Sequence, residues 1–207
     1  MSKLSDDWRR LSQWAADCPL KIEFNPGAGA DEIAAAEAKL GLAFPADLRE
    51  YLELANGEAW NSEGFIGGWQ LLDLENMVME TQTMRELAEK GTFGDNRNDP
   101  TPAVKGLWWN PQWIPIVSSG SGHFLCLDLD PGPEGTAGQV ILFLHDDTRR
   151  FRVAPGLKAW FARLAEDLEG GLYEIVSDGD GTRHFNSHAL MWSSLEGREV
   201  YGPPPGK

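Results

Sequence analysis

Apolar residues recur at helical spacing through the first ninety positions of the chain and at strand spacing after them. Leu4, Trp8, Leu11 and Trp14 lie one turn apart and predict an amphipathic N-terminal helix that ends near Cys18-Pro19. Residues 25–30 (Asn-Pro-Gly-Ala-Gly-Ala) cannot continue a helix and read as a loop. Asp31 reads as the cap of a second helix, with Ile33, Ala36 and Leu40 inward and Gly41 as its stop. Pro45 suits the first turn of a third helix carrying Leu48, Tyr51, Leu52 and Ala55, which ends at Asn56-Gly57. Leu71-Leu72 reads as a short extended piece, and a helix is expected from about Glu75 to Glu89. Residues 113–117, 123–129 and 139–145 then read as strands, the last two apolar on both faces and so central in a covered sheet. Leu157, Trp160, Phe161, Leu164 and Leu168 trace a last helix, stopped by Gly170-Gly171. Helices, then strands, then a helix predict an α+β fold: one domain over residues 8–173, with N-terminal helices, a central largely antiparallel sheet and a C-terminal helix. Residues 174–207 form an extension whose extremity, Pro203-Pro-Pro-Gly-Lys, is expected to be mobile.

Composition narrows the partners. With nine Trp and nine Phe in 207 residues, the chain has ample apolar surface for a folded core. Eighteen Lys and Arg against 32 Asp and Glu give a net charge of −14. That charge repels nucleic-acid phosphates and anionic lipid, and it attracts a cationic protein. Two cysteines, Cys18 and Cys126, make no disulfide framework and suit a reducing cytosol. The N-terminus carries acids where a signal peptide needs an apolar stretch, and no apolar run reaches the ~18 residues of a membrane span. A soluble, cytoplasmic protein is expected.

Candidate chemistry is sparse. Asp128, Asp130, Asp146 and Asp147 lie at the ends of two expected strands and could converge on a hard cation, which would suit a metal-dependent hydrolase. Asp130-Pro131-Gly132 is equally ordinary turn chemistry. Asp178-Gly-Asp-Gly opens like a calcium loop but continues with Thr182 and Arg183 where an acid and Gly belong, and has Ala189 in place of the bidentate Glu. His184 and His188 are one helical turn apart without further ligands nearby. Ser118-Ser-Gly-Ser-Gly is no nucleophile elbow, and Asn25-Pro-Gly-Ala-Gly-Ala lacks the strand and Lys of a phosphate loop. The expectation is a non-enzyme without cofactor or metal. The acids are more telling: residues 23–80 hold twelve of them against two bases, Lys39 and Arg49. Glu58, Trp60 and Glu63 cluster in an expected loop, where an aromatic flanked by carboxylates could clamp Arg or Lys of a partner. Asp146 and Asp147 are expected at a strand end and join them as candidate partner-binding residues. Trp108, Trp109 and Trp113 are either core or an exposed row able to stack on sugar rings.

Four segments, in order, carry a resemblance. Gly41-Leu-Ala-Phe-Pro-Ala-Asp-Leu-Arg-Glu-Tyr-Leu with Asn56-Gly57, Trp109-Asn-Pro-Gln-Trp-Ile-Pro-Ile, Gly122-His-Phe-Leu-Cys-Leu-Asp-Leu-Asp-Pro and Gly138-Gln-Val-Ile together resemble the SUKH superfamily, which includes fungal cell-wall-assembly regulators of the Smi and Knr type. The resemblance implies an α+β fold without catalytic residues and a structural role for Asp128. Bacterial members are taken as immunity proteins; fungal members are regulators with long disordered flanks. Residues 1–207 contain no such flanks, so the resemblance points first to an immunity protein occluding a cognate cationic toxin. A regulatory adaptor or a cell-wall-glycan-associated module is the alternative.

Overall fold

In the computed structural model, which describes residues 3–99, 101–173 and 175–185, a five-stranded antiparallel sheet lies between a layer of helices and a long covering segment. The elements run α1 (Leu4–Asp17), β1 (Phe24–Pro26), α2 (Ala30–Leu40), α3 (Ala46–Leu54), β2 (Ala55–Glu58), β3 (Gln70–Leu71), α4 (Leu74–Glu89), β4 (Trp113–Ser118), β5 (Phe124–Asp128), β6 (Gln139–Phe143), β7 (Arg150–Ala154), α5 (Leu157–Glu169), β8 (Ile175–Ser177) and β9 (Arg183–Phe185). Strands β4 to β7 form a meander of locally connected neighbours, and β3 joins its edge by pairing with β4 across the α4 excursion. The α+β expectation holds.

Every residue of β5 and β6 is buried because the two faces of the sheet are covered by different material. Leu125, Leu127, Val140 and Leu142 point into the helix layer with Trp160 and Leu164 of α5. Their alternates Phe124, Cys126, Ile141 and Phe143 point the other way, onto Trp109, Trp113, Val104 and Met84. Side chains alternate across a strand, so a run that is apolar at every position requires a cover on both sides.

In the helix layer the apolar stripe of α1 sits on α3 and α5. The Trp8 ring lies 4.8 Å from Phe24, 5.1 Å from Tyr51 and 5.7 Å from Phe161, edge-on to the first two. Edge-to-face pairs of this kind contribute roughly 0.5–1.5 kcal/mol beyond the area they bury. Arg10 closes the α1–α5 seam with two hydrogen bonds to Glu169, at 2.6 and 2.8 Å.

Several local readings need correction. Gly29, not Asp31, is the N-cap of α2: Glu32 of the first turn accepts the Gly29 N–H at 2.7 Å. Pro45 stands just before α3 rather than within it. Phe24–Pro26 is a strand where a loop was expected, and α3 runs directly into β2 at Ala55 without a stop. Strand β7 was not expected at all. Its Arg-Phe-Arg-Val-Ala pattern hides a buried charge, since Arg150 lies inside the fold.

Beyond α5, β8 and β9 form a hairpin. Phe185 is buried and stacks on Trp14 with ring centroids 6.0 Å apart. The end of the expected extension lies outside the described residues, and so does His188.

Candidate functional site

The loop over residues 59–69, between β2 and β3, is built around a buried carboxylate. Glu58 ends β2 and is 5% exposed. Its Oε1 accepts the N–H of Leu71 at 2.7 Å, its Oε2 accepts Ser62 Oγ, and Phe65 N–H donates to both oxygens at 3.0–3.1 Å. Burial raises its pKa, and the donors from Ser62, Leu71 and Phe65 pull part of the way back. One side chain thus ties two points of the loop, Ser62 and Phe65, to Leu71 of β3. The backbone of Glu63 and Lys21 adds a reciprocal pair, Glu63 N–H to Lys21 O at 2.9 Å and Lys21 N–H to Glu63 Oε2 at 2.5 Å. Gly64 (φ +84°) brings the loop against Gly68 so closely that a Cβ would stand 2.4 Å from the Gly68 backbone. Phe65 and Ile66 anchor the loop in the core.

Trp60 projects from this anchored loop with 91% of its surface exposed. An indole left in water on a loop fixed at so many points is the type of residue that anchors an interface. A groove of about 450 Å³ lies beside the loop, lined by Leu20, Glu63, Gly67, Gly68, Arg183, His184 and Phe185.

The expected partner-binding residues separate into distinct roles. Glu58 is not a rim acid: it is interior, and it holds the loop that presents Trp60. Its position on β2, which the expected helix end at Asn56-Gly57 concealed, turns the side chain inward. Glu63 is exposed on the loop. The far end of the loop reaches the sheet, where Trp69 stacks on His123 with centroids 5.9 Å apart. Asp146, exposed, lies beside that histidine with Oδ1 3.9 Å from His123 Nδ1. Asp147 turns away into a fork with Arg149, accepting from its Nε at 3.0 Å and Nη2 at 2.5 Å. That bond lowers the Asp147 pKa.

Trp69, His123 and His145 were not singled out from sequence. Strand register, which the sequence alone does not specify, is what brings the two histidines together. Phe124 pairs with Phe143, so continuing the ladder by one residue brings His123 to the mouth of the hairpin beside His145.

Other candidates resolve as structure. The four aspartates do not converge, because Asp128 pairs with Gln139 at the start of β6 whereas Asp146 and Asp147 follow its far end. Asp128 is buried and accepts from Gln139 Nε2 at 2.9 Å and from the Asp130 N–H at 3.0 Å. Asp130 is held by Lys105 and Asn110. Trp109 and Trp113 are core residues, and half-buried Trp108 lies under the Arg150 guanidinium at 4.9 Å, so no exposed aromatic row exists there. Asp178 and Asp180 shape the β8–β9 turn, accepting from Gly181 and Thr182 backbone N–H groups through a carbonyl and a carboxylate respectively. Burial pushes the Cys126 thiol well up, the opposite of what a nucleophile needs. Among the described residues no helix is long and apolar enough to cross a membrane.

Fold and site together define a class: an α+β domain whose most exposed large apolar side chain, among the described residues, is an aromatic on a buttressed loop. The family model of the SMI1 / KNR4 family (SUKH-1) matches residues 27–163, and the chain belongs to that family. Among curated proteins, it is 28% identical to the cell wall biosynthesis/cell cycle regulator smi1 of Schizosaccharomyces pombe, over 93% of this chain and 42% of that protein. It is 26% identical to a glucan synthesis regulatory protein of Neurospora crassa, over 84% of this chain and 40% of the relative. It is 24% identical to the cell wall assembly regulator SMI1 of Saccharomyces cerevisiae, over 84% and 42%. The chain therefore spans about two fifths of the length of these relatives. They overturn the immunity-protein reading. The proteins similar across most of this chain are fungal regulators, and the toxin partner inferred with that reading falls with it.

Proposed function

We propose that this chain is the non-enzymatic interaction module of a cell-wall regulatory protein, working in the cytosol. It grips a basic segment of a protein partner with Trp60, assisted by the exposed acid Glu63 of the same loop. The observation that supports the reading is Trp60 itself, 91% exposed on a loop fastened from within by Glu58. An exposed ring on a fixed loop gives up little conformational entropy when a partner covers it, and a Trp anchor of this kind contributes at least ~2 kcal/mol. The net charge of −14 selects a cationic partner and accelerates encounter at low salt. The regulatory role follows the printed functions of the relatives, and the unpaired cysteines suit a reducing compartment.

The test replaces Trp60 with a photo-crosslinking phenylalanine analogue in the organism of origin and identifies the adducts by mass spectrometry. The chromosomal Trp60→Ala variant is scored in parallel for wall glucan content and resistance to glucanase lysis. A discrete protein adduct, together with a weakened wall in Trp60→Ala at normal protein abundance, supports the proposal. An unchanged wall, or adducts from probes elsewhere on the chain but none from position 60, refutes it.

A further inference from the structure

Two histidines and an aspartate meet at the open end of the β5–β6 hairpin, outside the loop that carries Trp60. The Nδ1 atoms of His123 and His145 are 3.2 Å apart, and Asp146 Oδ1 is 3.9 Å from His123 Nδ1. One donor atom from each of the three residues falls within a common 4.8 Å. In a tetrahedral zinc site with bonds of about 2.0–2.1 Å, ligand atoms stand about 3.3 Å from one another. The two imidazoles already have about that separation, and the exposed Asp146 carboxylate, within 4.8 Å of the other donors, must swing inward to complete the triangle. We propose that His123, His145 and Asp146 form a three-ligand site for a divalent transition ion, with zinc as the physiological occupant and water completing the coordination.

Several features of the surroundings favour a site over a chance meeting. Neither histidine sits on a free loop: His123 precedes β5 and His145 follows β6 by two residues, so the strand pairing Phe124↔Phe143 holds their backbones together. Trp69 stacks on the His123 ring and fixes its plane. Gly122, at φ +90°, supplies the left-handed backbone that leads into His123, and the His145 ring packs beside it. The rings themselves lie 4.4 Å apart at centroids. The donor set selects the ion class: two imidazoles and one carboxylate suit zinc, copper or nickel, whereas calcium and magnesium require oxygen ligands. One interaction opposes binding. The His145 backbone N–H donates to His123 Nδ1 at 3.2 Å, and a metal would take that lone pair. His145 is exposed, so water can receive the freed N–H, and the exchange weakens binding only modestly.

The experiment is isothermal titration of the chelator-treated chain with zinc chloride near neutral pH, alongside the cobalt(II) visible spectrum. One equivalent of zinc should bind at micromolar Kd, and cobalt should show the intense absorption of tetrahedral coordination. Loss of outer-shell partners alone costs roughly 10–100-fold in metal affinity, so His145→Ala and Asp146→Asn should weaken binding by at least about tenfold. Both residues are exposed, and circular dichroism should confirm that the variants stay folded. The paired variant His184→Ala, His188→Ala controls for the remaining two histidines of the chain and should bind zinc as the parent does. Calcium should give no heat. Absence of zinc binding at micromolar concentrations would overturn the proposal, as would binding that survives His145→Ala or is abolished by the His184, His188 pair.

Discussion

Removing the Glu58 carboxylate should release the loop that carries Trp60. In Glu58→Ala the N–H groups of Phe65 and Leu71 lose their acceptor, and both residues are buried. An orphaned buried donor costs about 1–3 kcal/mol, so two of them set a range of about 2–6 kcal/mol. Water entering the space left by the side chain recovers part of this, and the expected loss is about 3 kcal/mol. Glu58→Gln separates geometry from charge. Its amide oxygen can replace Oε1, which receives Leu71 at 2.7 Å and Phe65 at 3.1 Å. Its amide nitrogen can then face Ser62 Oγ, whose hydroxyl is within 3.5 Å of the Lys21 carbonyl as an alternative acceptor. The cost near neutral pH should stay below about 1 kcal/mol. The pH dependence has a definite sign. Folding raises the Glu58 pKa, so its contribution is fully present below the ordinary carboxylate value of about 4.5 and fades as pH rises through the folded value. The stability of Glu58→Gln relative to the parent should therefore improve across that window. Urea denaturation followed by tryptophan fluorescence measures the midpoints, and amide hydrogen exchange at Phe65 and Leu71 reports the loop directly. If Glu58→Ala unfolds at the parental midpoint with both amides still protected, the carboxylate does not hold the loop.

Leu142→Ala, at a side chain 1% exposed on the helix-facing side of β6, should cost about 2–5 kcal/mol in chemical denaturation through lost transfer energy and a cavity. Arg150→Lys should lower stability by at least about 2 kcal/mol despite keeping the charge, because the guanidinium alone reaches the carbonyls of Asp147, Arg149 and Trp108 at 2.5, 2.8 and 3.2 Å. That group is buried, which brings its pKa down to about 10, and a thermal melt of the variant checks the prediction. Gly27→Ala should cost about 1–3 kcal/mol or more, since the new Cβ would stand 1.9 Å from the Glu53 carbonyl oxygen. Gly41→Ala, in open space at φ +64°, should cost only about 1–2 kcal/mol of backbone strain, and its melt should lie above that of Gly27→Ala.

Helix and strand positions were legible wherever burial imposes a period. Leu4, Trp8 and Leu11 mark α1, and the unbroken apolar runs of β5 and β6 revealed a sheet covered on both faces. Strand β7 escaped because its alternation includes Arg150, whose burial depends on four backbone carbonyls and on the rings of Trp108 and Phe143 that gather around it only in the folded chain. The family was readable from short motifs in order, since those residues sit at turns and strand starts whose local chemistry is constrained. The role was not, because motifs at turns and strand starts carry the fold and leave the function open.

Glu58, Trp60 and Glu63 stand close together in the chain, and proximity in sequence placed all three near one loop. Which way each points is a different question: the register of β2 against β1 turns Glu58 into the interior, while the loop's own fastening leaves Trp60 in water. Asp146 and Asp147 are adjacent, yet one faces His123 and the other Arg149. His123 and His145 are 22 positions apart and meet through strand pairing. Local sequence sets propensity, period and turn chemistry, which act over a few residues. The direction of a polar side chain is decided by the desolvation and hydrogen bonding it finds among distant residues, and those exist only once the sheet and its covering layers have assembled.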